Sequence, residues 1–291
     1  MGYYRDLMDR EMRIRGFADS TRDAYLGCVR RFVGYYMTPP DQLTLEHVNR
    51  YQLYLTQERR VAWSTFNVAV CALRFFFVVA MKKGWNVELL PYQKTRRRLP
   101  QVLSAQEVQA LFEAVTNIKH RAILMTLYSG GLRVSEALAL QVADIDSDRM
   151  VLRIQQGKGG KDRYVMLSET LLVTLRDYWR QYRPQGLLFH GLGPDGRLSR
   201  ESVGKVIGKA RSRAGIAKRV SAHTLRHSFA THLLEAGINI RVIQRLLGHK
   251  SLRSTEIYTH VASNYVADTA SPLDSLGLLG EIVGRTSGMD R

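Results

Sequence analysis

The segment from Leu90 to Pro100 limits the folds open to this chain of 291 residues more than any other part of the sequence. It contains two prolines, which lack the backbone donor that helices and sheets use, and a dense run of cations. These cations are Lys94, Arg96, Arg97 and Arg98. A segment so polar and so interrupted does not form a core element. We therefore predict two domains, residues 1–90 and 101–291, joined by a basic linker over residues 91–100.

The first domain carries the periodicity of helices. Between residues 20 and 36, apolar side chains recur at intervals of three and four, the spacing of one helical face, and Ser20 is placed to cap that helix. Similar patterns predict three more helices, over residues 3–16, 44–59 and 64–82. We expect this domain to be entirely helical.

The most apolar stretch of the chain, Val68 to Met81, is interrupted by Arg74. It is shorter than the ~18 apolar residues that a membrane-spanning helix needs, and the charged amino-terminal residues do not resemble a secretion signal. The two cysteines, Cys28 and Cys71, show neither the paired spacing of a zinc site nor the density of a disulfide scaffold. We therefore expect no membrane contact and a protein that remains in a reducing cytoplasm.

After residue 101 the pattern changes to helices combined with two short strands. Ser104 and Glu107 match the capping box of a helix start. Two alternating segments, Met150–Ile154 and Arg163–Leu167, flank a glycine-rich stretch, which predicts a β-hairpin. Further helices are predicted over residues 118–128, 134–140, 168–182, 201–214, 224–236, 240–247 and 253–263, with Asn239 and Gly248 as caps. The predicted fold class is mostly α with a small antiparallel β-sheet.

The chain is strongly basic in both parts. Lys and Arg number 43 against 26 Asp and Glu, which gives a net charge of +17, divided as +8 over residues 1–100 and +9 over residues 101–291. Such an excess favours a polyanionic partner, and nucleic acid is the leading candidate. An anionic membrane surface is less favoured because no apolar anchor accompanies the basic residues. The linker cations are expected to contact phosphates, with a solvated basic loop as the alternative.

Two motifs suggest other chemistry without completing it. The hairpin tip Gly157–Lys161 lacks the Gly-Lys-Ser/Thr ending of a nucleotide-binding phosphate loop and joins strands instead of opening a helix. His223 and His227 are four residues apart, as metal ligands on a helix can be, but no third ligand accompanies them. We therefore predict neither a metal nor a nucleotide cofactor.

A scattered set of residues carries the remaining chemistry. It comprises Arg133 in Gly-Leu-Arg-Val-Ser-Glu, Lys158 on the hairpin tip, His223 and Arg226 in His-Thr-Leu-Arg-His, His249 in Leu-Gly-His, and Tyr258 in Ile-Tyr-Thr-His. Arg226 and His249 follow His223 by three and twenty-six residues, and Tyr258 follows His249 by nine. This order and spacing resemble the tyrosine recombinases, the phage-integrase and Xer-like enzymes that break and rejoin DNA. The resemblance covers nearly the whole chain and implies a helical SAM-like core-binding domain followed by a tyrosine-recombinase catalytic domain.

The resemblance implies a role for each residue, and the chemistry of each side chain agrees with it. Arg133 and Arg226 can spread charge off the non-bridging oxygens of a phosphodiester through forked hydrogen bonds. Tyr258 would be the nucleophile that forms a 3′-phosphotyrosyl bond, so that no ATP is needed. His223 would act as general base or proton shuttle, and His249 would orient the phosphate or the tyrosine. Taken singly, each of these residues is also explained by core packing, ion pairing or helix capping.

Other positions follow from the same resemblance. Lys158 would be the general acid that protonates the leaving 5′-hydroxyl, with Lys161 on the same tip as the alternative. Glu136, one helical turn after Arg133, would hold the cations in place. Phosphate contacts are expected from Lys94, Arg96, Arg97, Arg98, Lys161, Lys250 and Arg253. Lys250 and Arg253 stand where the family has small polar residues, and a solvated face is the alternative for both.

The resemblance also implies an assembly on double-stranded DNA. The two domains would clamp a duplex, and recombination of two duplexes would use a homo-tetramer, alone or with a second recombinase. The tail after Val266 would dock on a neighbouring subunit or pack on its own domain. The expected function is integration or excision of a mobile element, or resolution of chromosome or replicon dimers. The alternatives are type IB topoisomerase-like relaxation of DNA and a catalytically silent DNA-binding protein.

Overall fold

The structure is a computed structural model that describes residues 2–94, 99–155, 162–191 and 196–259. The chain divides into two compact units, residues 1–97 and 98–291. The described elements are mostly helices, with one three-stranded antiparallel sheet in the second unit. The predicted fold class is therefore confirmed.

The first unit is helical throughout its described elements. Its helices are α1 (Gly2–Ile14), α2 (Asp19–Tyr36), α3 (Leu45–Leu53) and α4 (Trp63–Arg74), with π-helical continuations of α3 over Tyr54–Glu58 and of α4 over Phe75–Ala80 and a short 3₁₀ turn over Val87–Leu89. The cap predicted at Ser20 is wrong, because α2 begins earlier. The carbonyl of Ala18 accepts the first helical hydrogen bonds, from Thr21 and Arg22, and Asp19 places a carboxylate at the positive end of the helix.

The core of this unit reaches Leu90, the first residue of the segment that we predicted to form no core element. Leu90 is fully buried, and its carbonyl accepts hydrogen bonds from the Arg74 guanidinium. The same guanidinium lies 4.0 Å from the ring centre of Tyr92. Gln93 exchanges backbone hydrogen bonds with the amide side chain of Asn67, at 2.9 and 3.3 Å. The start of the basic segment therefore packs on α4, because its first residues are apolar or amide-bearing and its cations come later.

The expectation about the length of apolar segments also needs correction. Trp63–Ala80 forms one stretch of 18 residues with a mean hydropathy of 1.6, long and apolar enough by length and composition to cross a membrane. Counting from Val68 missed it, because the residues before Val68 are uncharged and Arg74 is the single charge of the stretch. Half of the stretch is buried inside the protein, where Phe76 and Phe77 join the core of the first unit. Burial of this kind is typical of a core helix.

The second unit contains seven described helices and the sheet. The helices are α5 (Ala105–Glu113), α6 (Ile118–Ser129), α7 (Val134–Ala139), α8 (Glu169–Tyr182), α9 (Arg200–Arg213), α10 (Ala222–Glu235) and α11 (Ile240–Leu247). The capping box of Ser104 and Glu107 is confirmed, with both reciprocal hydrogen bonds formed. Asn239 caps the start of α11 through a hydrogen bond from the Arg241 amide, and Gly248 ends it in the left-handed conformation.

The sheet has three strands where we predicted two. Its strands are β1 (Ile145–Asp146), β2 (Val151–Ile154) and β3 (Arg163–Met166), in the order β1-β2-β3. The additional strand is two residues long, too short to show alternation in the sequence. The hairpin between β2 and β3 is confirmed, while its tip, residues 156–161, lies outside the described residues.

The last predicted helix, over residues 253–263, is wrong in its described part. That part consists of two 3₁₀ turns, Leu252–Ser254 and Glu256–Tyr258. Thr255 lies between them, fully buried, with its hydroxyl hydrogen-bonded to His249 at 3.0 Å. Side-chain hydroxyls that bond outside the helix disfavour regular α-helical geometry. The described part therefore contains two short turns in place of the predicted helix, with the Thr255 hydroxyl bonded to a side chain six residues earlier.

Candidate active site

Arg226 is the buried centre of the site. It lies on the second turn of α10, is 4% exposed, and donates hydrogen bonds of 2.6 Å to the carbonyls of both Gly131 and Leu247. The first carbonyl belongs to the turn after α6, and the second to the last residue of α11. This guanidinium therefore holds the ends of two helices against α10. Burial, followed by repulsion from Arg133, lowers its pKa to about 10, which leaves it charged near neutral pH.

Glu136 joins Arg226 to two other arginines. Arg133 is the N-cap of α7, and its Nη1 donates to Glu136 Oε1 at 2.7 Å while its backbone N–H donates to Oε2 at 2.9 Å. Arg163 on β3 donates to both carboxylate oxygens, at 3.1 and 2.8 Å, and Arg226 Nη1 lies 3.9 Å from Oε2. Burial alone would raise the pKa of this carboxyl, but the hydrogen bonds from Arg163 and Arg133 hold it at about 2. Three guanidiniums around one carboxylate leave a net positive charge, which can bind an anion such as a phosphate.

Tyr258 lies in the apolar cluster beside this charged group. Its side chain is 2% exposed and packs in a cluster with Phe229 and Leu247. Burial raises the pKa of its phenol, and the charges of Arg226 and Arg133 oppose that rise. The arginines that could bind a phosphate thus also favour the phenolate.

The hydrogen-bond partner of the tyrosine is His227, which the sequence analysis considered only as a metal ligand. Its Nδ1 lies 3.1 Å from the Tyr258 hydroxyl. Burial, and then the charges of His223 and Arg226, lower the pKa of His227 to about 4, so its imidazole is neutral at pH 7. His223, which we predicted as general base or proton shuttle, is exposed one turn earlier on α10, with its ring centre 6.4 Å from that of His227.

His249 follows the glycine that ends α11. Its Nδ1 lies 3.0 Å from the hydroxyl of Thr255, and its backbone N–H bonds to the carbonyl of Gln244. Burial, followed by the charges of Arg226 and Arg133, lowers its pKa to about 4. The structure therefore presents a neutral imidazole near both arginines.

The structure brings together six of the residues that the sequence analysis selected: Arg133, Glu136, His223, Arg226, His249 and Tyr258. Lys158, Lys161 and Arg96–Arg98 lie outside the described residues. Lys94, Lys250 and Arg253 are exposed, as phosphate contacts require.

Sequence reasoning missed Arg163 and His227. The only sequence signal for His227 is its place one helical turn after His223. Among the described residues, no three His, Cys, Asp or Glu side chains are grouped to hold a metal ion.

Comparison with known proteins agrees with this arrangement. A model of the phage integrase family matches residues 101–264, and a model of the phage integrase N-terminal SAM-like domain matches residues 4–87. The chain belongs to the phage integrase family. Its catalytic domain is that of a tyrosine recombinase, and the protein is a site-specific recombinase enzyme.

Relatives of this recombinase share most of its length. The integrase/recombinase y4qK of Sinorhizobium fredii is 46% identical over 94% of this chain and 89% of its own. The tyrosine recombinase XerA of Pyrococcus furiosus is 33% identical over 94% of this chain and 93% of its own. A crystal structure of a XerA recombinase, 28% identical, aligns over 92% of this chain and 96% of its own with a TM-score of 0.54. A lambda integrase tetramer bound to a Holliday junction, 19% identical, shares the fold over 88% of this chain and 76% of its own, with a TM-score of 0.71.

The depressed pKa values of two histidines predict that acid destabilises the recombinase. The pKa of His227 and of His249 is about 4 when folded and ordinarily 6.5, so the unfolded state binds more protons between these values. The stability that the two neutral histidines contribute is therefore present above about pH 6.5 and is lost as the pH is lowered toward 4. Glu136 adds its own loss only below its ordinary value of 4.5. Melting temperatures measured from pH 7.5 to 4.5 should fall, and less steeply in the double variant His227→Gln/His249→Gln. Equal slopes would contradict the assignment.

Gly131, in the turn after α6, is a position where a larger residue should strongly destabilise the protein. Its φ is +57°, and a Cβ there would lie 2.4 Å from Cδ1 of Phe229. Gly131→Ala should therefore lower the free energy of unfolding by about 2–4 kcal/mol, from backbone strain and overpacking. Gly204→Ala is the control, because Gly204 lies within α9 with no neighbouring atom within 4 Å of the new methyl group. Urea denaturation should show this control unchanged or stabilised by about 0.5–1 kcal/mol. If Gly131→Ala lowered the free energy of unfolding no more than Gly204→Ala, neither the backbone conformation nor the packing at Gly131 would require glycine.

Proposed function

We propose that this recombinase cleaves DNA by attack of Tyr258 on a phosphodiester, forming a 3′-phosphotyrosyl bond and releasing a 5′-hydroxyl. A 5′-hydroxyl from a partner strand then attacks that bond, rejoins the DNA and restores the tyrosine. The observation that carries the proposal is a buried phenol 3.1 Å from His227, the residue next to Arg226, whose charge together with that of Arg133 opposes the rise in the pKa of that phenol. No external energy source is required, because the phosphotyrosyl bond replaces the phosphodiester bond that is broken.

The two arginines divide the binding of the scissile phosphate. Arg133 has the more accessible side chain, 23% exposed, and is the one that an entering phosphate meets first. Arg226 is fixed on two backbone carbonyls and supplies a preorganised charge beneath it. His249, neutral before DNA binds, gains a partner for its imidazolium form when a phosphate enters, and so orients that phosphate.

Proton transfer involves two histidines of α10. His227, neutral and hydrogen-bonded to the Tyr258 hydroxyl, is placed to accept the phenol proton as attack begins. His223, exposed beside it, is proposed as the shuttle that returns the proton. Lys158 remains the proposed general acid for the 5′-hydroxyl, with Lys161 as its alternative, on the family pattern alone.

The proposed partner is double-stranded DNA, and the acting form a homo-tetramer on two recombination sites. A net charge of +17 supports a polyanionic partner, and solved neighbours include recombinases bound to DNA and a tetramer on a Holliday junction. The proposed role, in the cytoplasm, is integration or excision of a mobile element or resolution of dimers. Relatives named integrase/recombinase and tyrosine recombinase XerA support the recombinase class, while the two biological roles rest on the family resemblance.

The proposal is tested by strand exchange in the presence of a metal chelator. Labelled duplexes from the DNA that flanks the gene are mixed with the wild-type protein, and both SDS-resistant adducts and joined products are measured. An adduct with exchange between two defined sites is the expected result. Relaxation of any supercoiled plasmid without exchange would replace the proposal with topoisomerase-like activity. Salt-sensitive binding without any adduct would indicate either that a partner recombinase is required or that the protein only binds DNA.

A further inference from the structure

We propose that Arg163 positions the two arginines that hold the scissile phosphate, acting through Glu136 and through the end of α11. The inference rests on the proposed function and adds a residue to it. Arg163 does not itself contact the tyrosine by any described interaction. Its contribution would be to fix where the positive charge of Arg133 and Arg226 lies.

The contacts of Arg163 use all three nitrogens of its guanidinium. Nη1 and Nη2 donate to the two oxygens of Glu136 at 3.1 and 2.8 Å, and Nε donates to the carbonyl of Leu246 at 2.8 Å. The side chain is 11% exposed. A planar fork that binds a carboxylate at two points fixes the rotation of that carboxylate as well as its position.

Both anchor points of Arg163 are next to anchor points of the phosphate-binding pair. Glu136, the first anchor, accepts a hydrogen bond from Arg133 at 2.7 Å and lies 3.9 Å from Arg226. Leu246, the second, precedes Leu247, whose carbonyl accepts from Arg226 at 2.6 Å and from Arg133 at 3.5 Å. Arg163 therefore ties down the carboxylate and the helix end that orient both arginines.

The backbone after α11 is shaped to admit this side chain. Gly248 has a φ of +63°, and a Cβ at that position would lie 3.1 Å from Nη1 of Arg163. The guanidinium thus lies against the backbone immediately before His249. Since Arg163 belongs to β3, it also joins the sheet to the helical part of the site.

Loss of the fork should misplace the charges of Arg133 and Arg226, both of which remain, and Arg163→Met also removes the charge of Arg163 itself. In Arg163→Met, Glu136 is free to draw Arg133 and Arg226 away from the phosphate position. Misplacement of about 1 Å can slow a reaction about 10²-fold, so we expect a decrease of that order in the rate of covalent adduct formation, with DNA affinity little changed. Arg163→Lys, which keeps the charge and loses the fork, should fall between wild type and Arg163→Met.

The chemistry of the scissile phosphate distinguishes positioning from a general structural effect. A methylphosphonate at that position carries no negative charge, so its cleavage depends less on correctly placed guanidiniums. The ratio of wild-type to Arg163→Met rates should be about 10² on the phosphodiester and close to one on the methylphosphonate. Arg133→Ala provides the reference for such rescue.

Arg153→Met is the matched control, because Arg153 on the adjacent strand is half exposed and pairs with Asp162 at the surface. It should leave both rates unchanged.

Other results would overturn the inference. Equal defects on both substrates, in a variant with an unchanged melting temperature, would show that Arg163 does not act through the arginine pair. Rescue by a sulfur leaving group at the 5′ bridging position would assign its role to leaving-group protonation instead. If Arg163→Met fails to fold, Arg163→Lys is compared on the same substrates, and methylphosphonate rescue is again required. Absence of any adduct with the wild-type enzyme would instead be a failure of the proposed function.

Discussion

Tyr258→Phe should abolish the covalent protein–DNA adduct while DNA affinity stays within about threefold of the wild-type value, because only the attacking oxygen is removed. The phenyl ring keeps the shape that packs against Phe229 and Leu247. The lost hydrogen bond to His227 should cost about 1 kcal/mol of stability. Adduct formation is measured by denaturing gel electrophoresis on nicked duplexes, and affinity by titration at fixed salt.

A matched control separates loss of the nucleophile from loss of a buried hydroxyl. Tyr178 is also fully buried, and its hydroxyl donates to the carbonyl of Leu188 at 2.8 Å. Tyr178→Phe should therefore show a similar small loss of stability and full adduct formation. An adduct in Tyr258→Phe would mean that another residue attacks the DNA. Loss of DNA binding in that variant would make Tyr258 a structural residue.

Glu136→Gln should lower the free energy of unfolding by about 3–5 kcal/mol, the cost of breaking a buried ion pair and leaving charges without a partner. Three guanidiniums depend on this carboxylate, which is 8% exposed and holds its negative charge down to a pKa of about 2. The amide of glutamine has a similar shape but cannot accept from the same donors with both atoms. Urea denaturation measures the change.

The control for this substitution is an exposed carboxylate in the same unit. Glu201 pairs with Lys205 at 2.8 Å, and both side chains are more than two-thirds exposed. Glu201→Gln should change stability by less than about 0.5 kcal/mol, the usual range for a surface pair. If Glu136→Gln lowered the free energy of unfolding as little as Glu201→Gln does, the three arginines would not need the negative charge of Glu136.

Several features that depend on residues close together in the chain, such as the caps of α5 and α11, were predicted correctly from the sequence. The capping box of Ser104 and Glu107 depends on residues three apart, and the end of α11 depends on one glycine, so both could be read directly. Arg133 and Glu136 were selected through the family resemblance, and the hydrogen bond that they form agrees with their spacing of one helical turn. The motif order then placed residues from distant parts of the chain in one site.

Contacts between distant segments were not predictable from the sequence. Arg163 looks like any strand residue until β3 packs beside α11, and its partner Glu136 lies 27 residues earlier. His227 was passed over because the choice between two histidines of α10 depends on which one faces Tyr258, 31 residues later.

The burial of Tyr258 affects how the enzyme searches DNA. A protein with a net charge of +17 binds duplexes of any sequence during that search, and each encounter places phosphates against its basic surface. Tyr258, the proposed nucleophile, is 2% exposed, so such encounters bring little of it to the DNA backbone. On the proposed function, burial of Tyr258 would therefore keep the cleavage chemistry away from most of the DNA that the protein meets during its search.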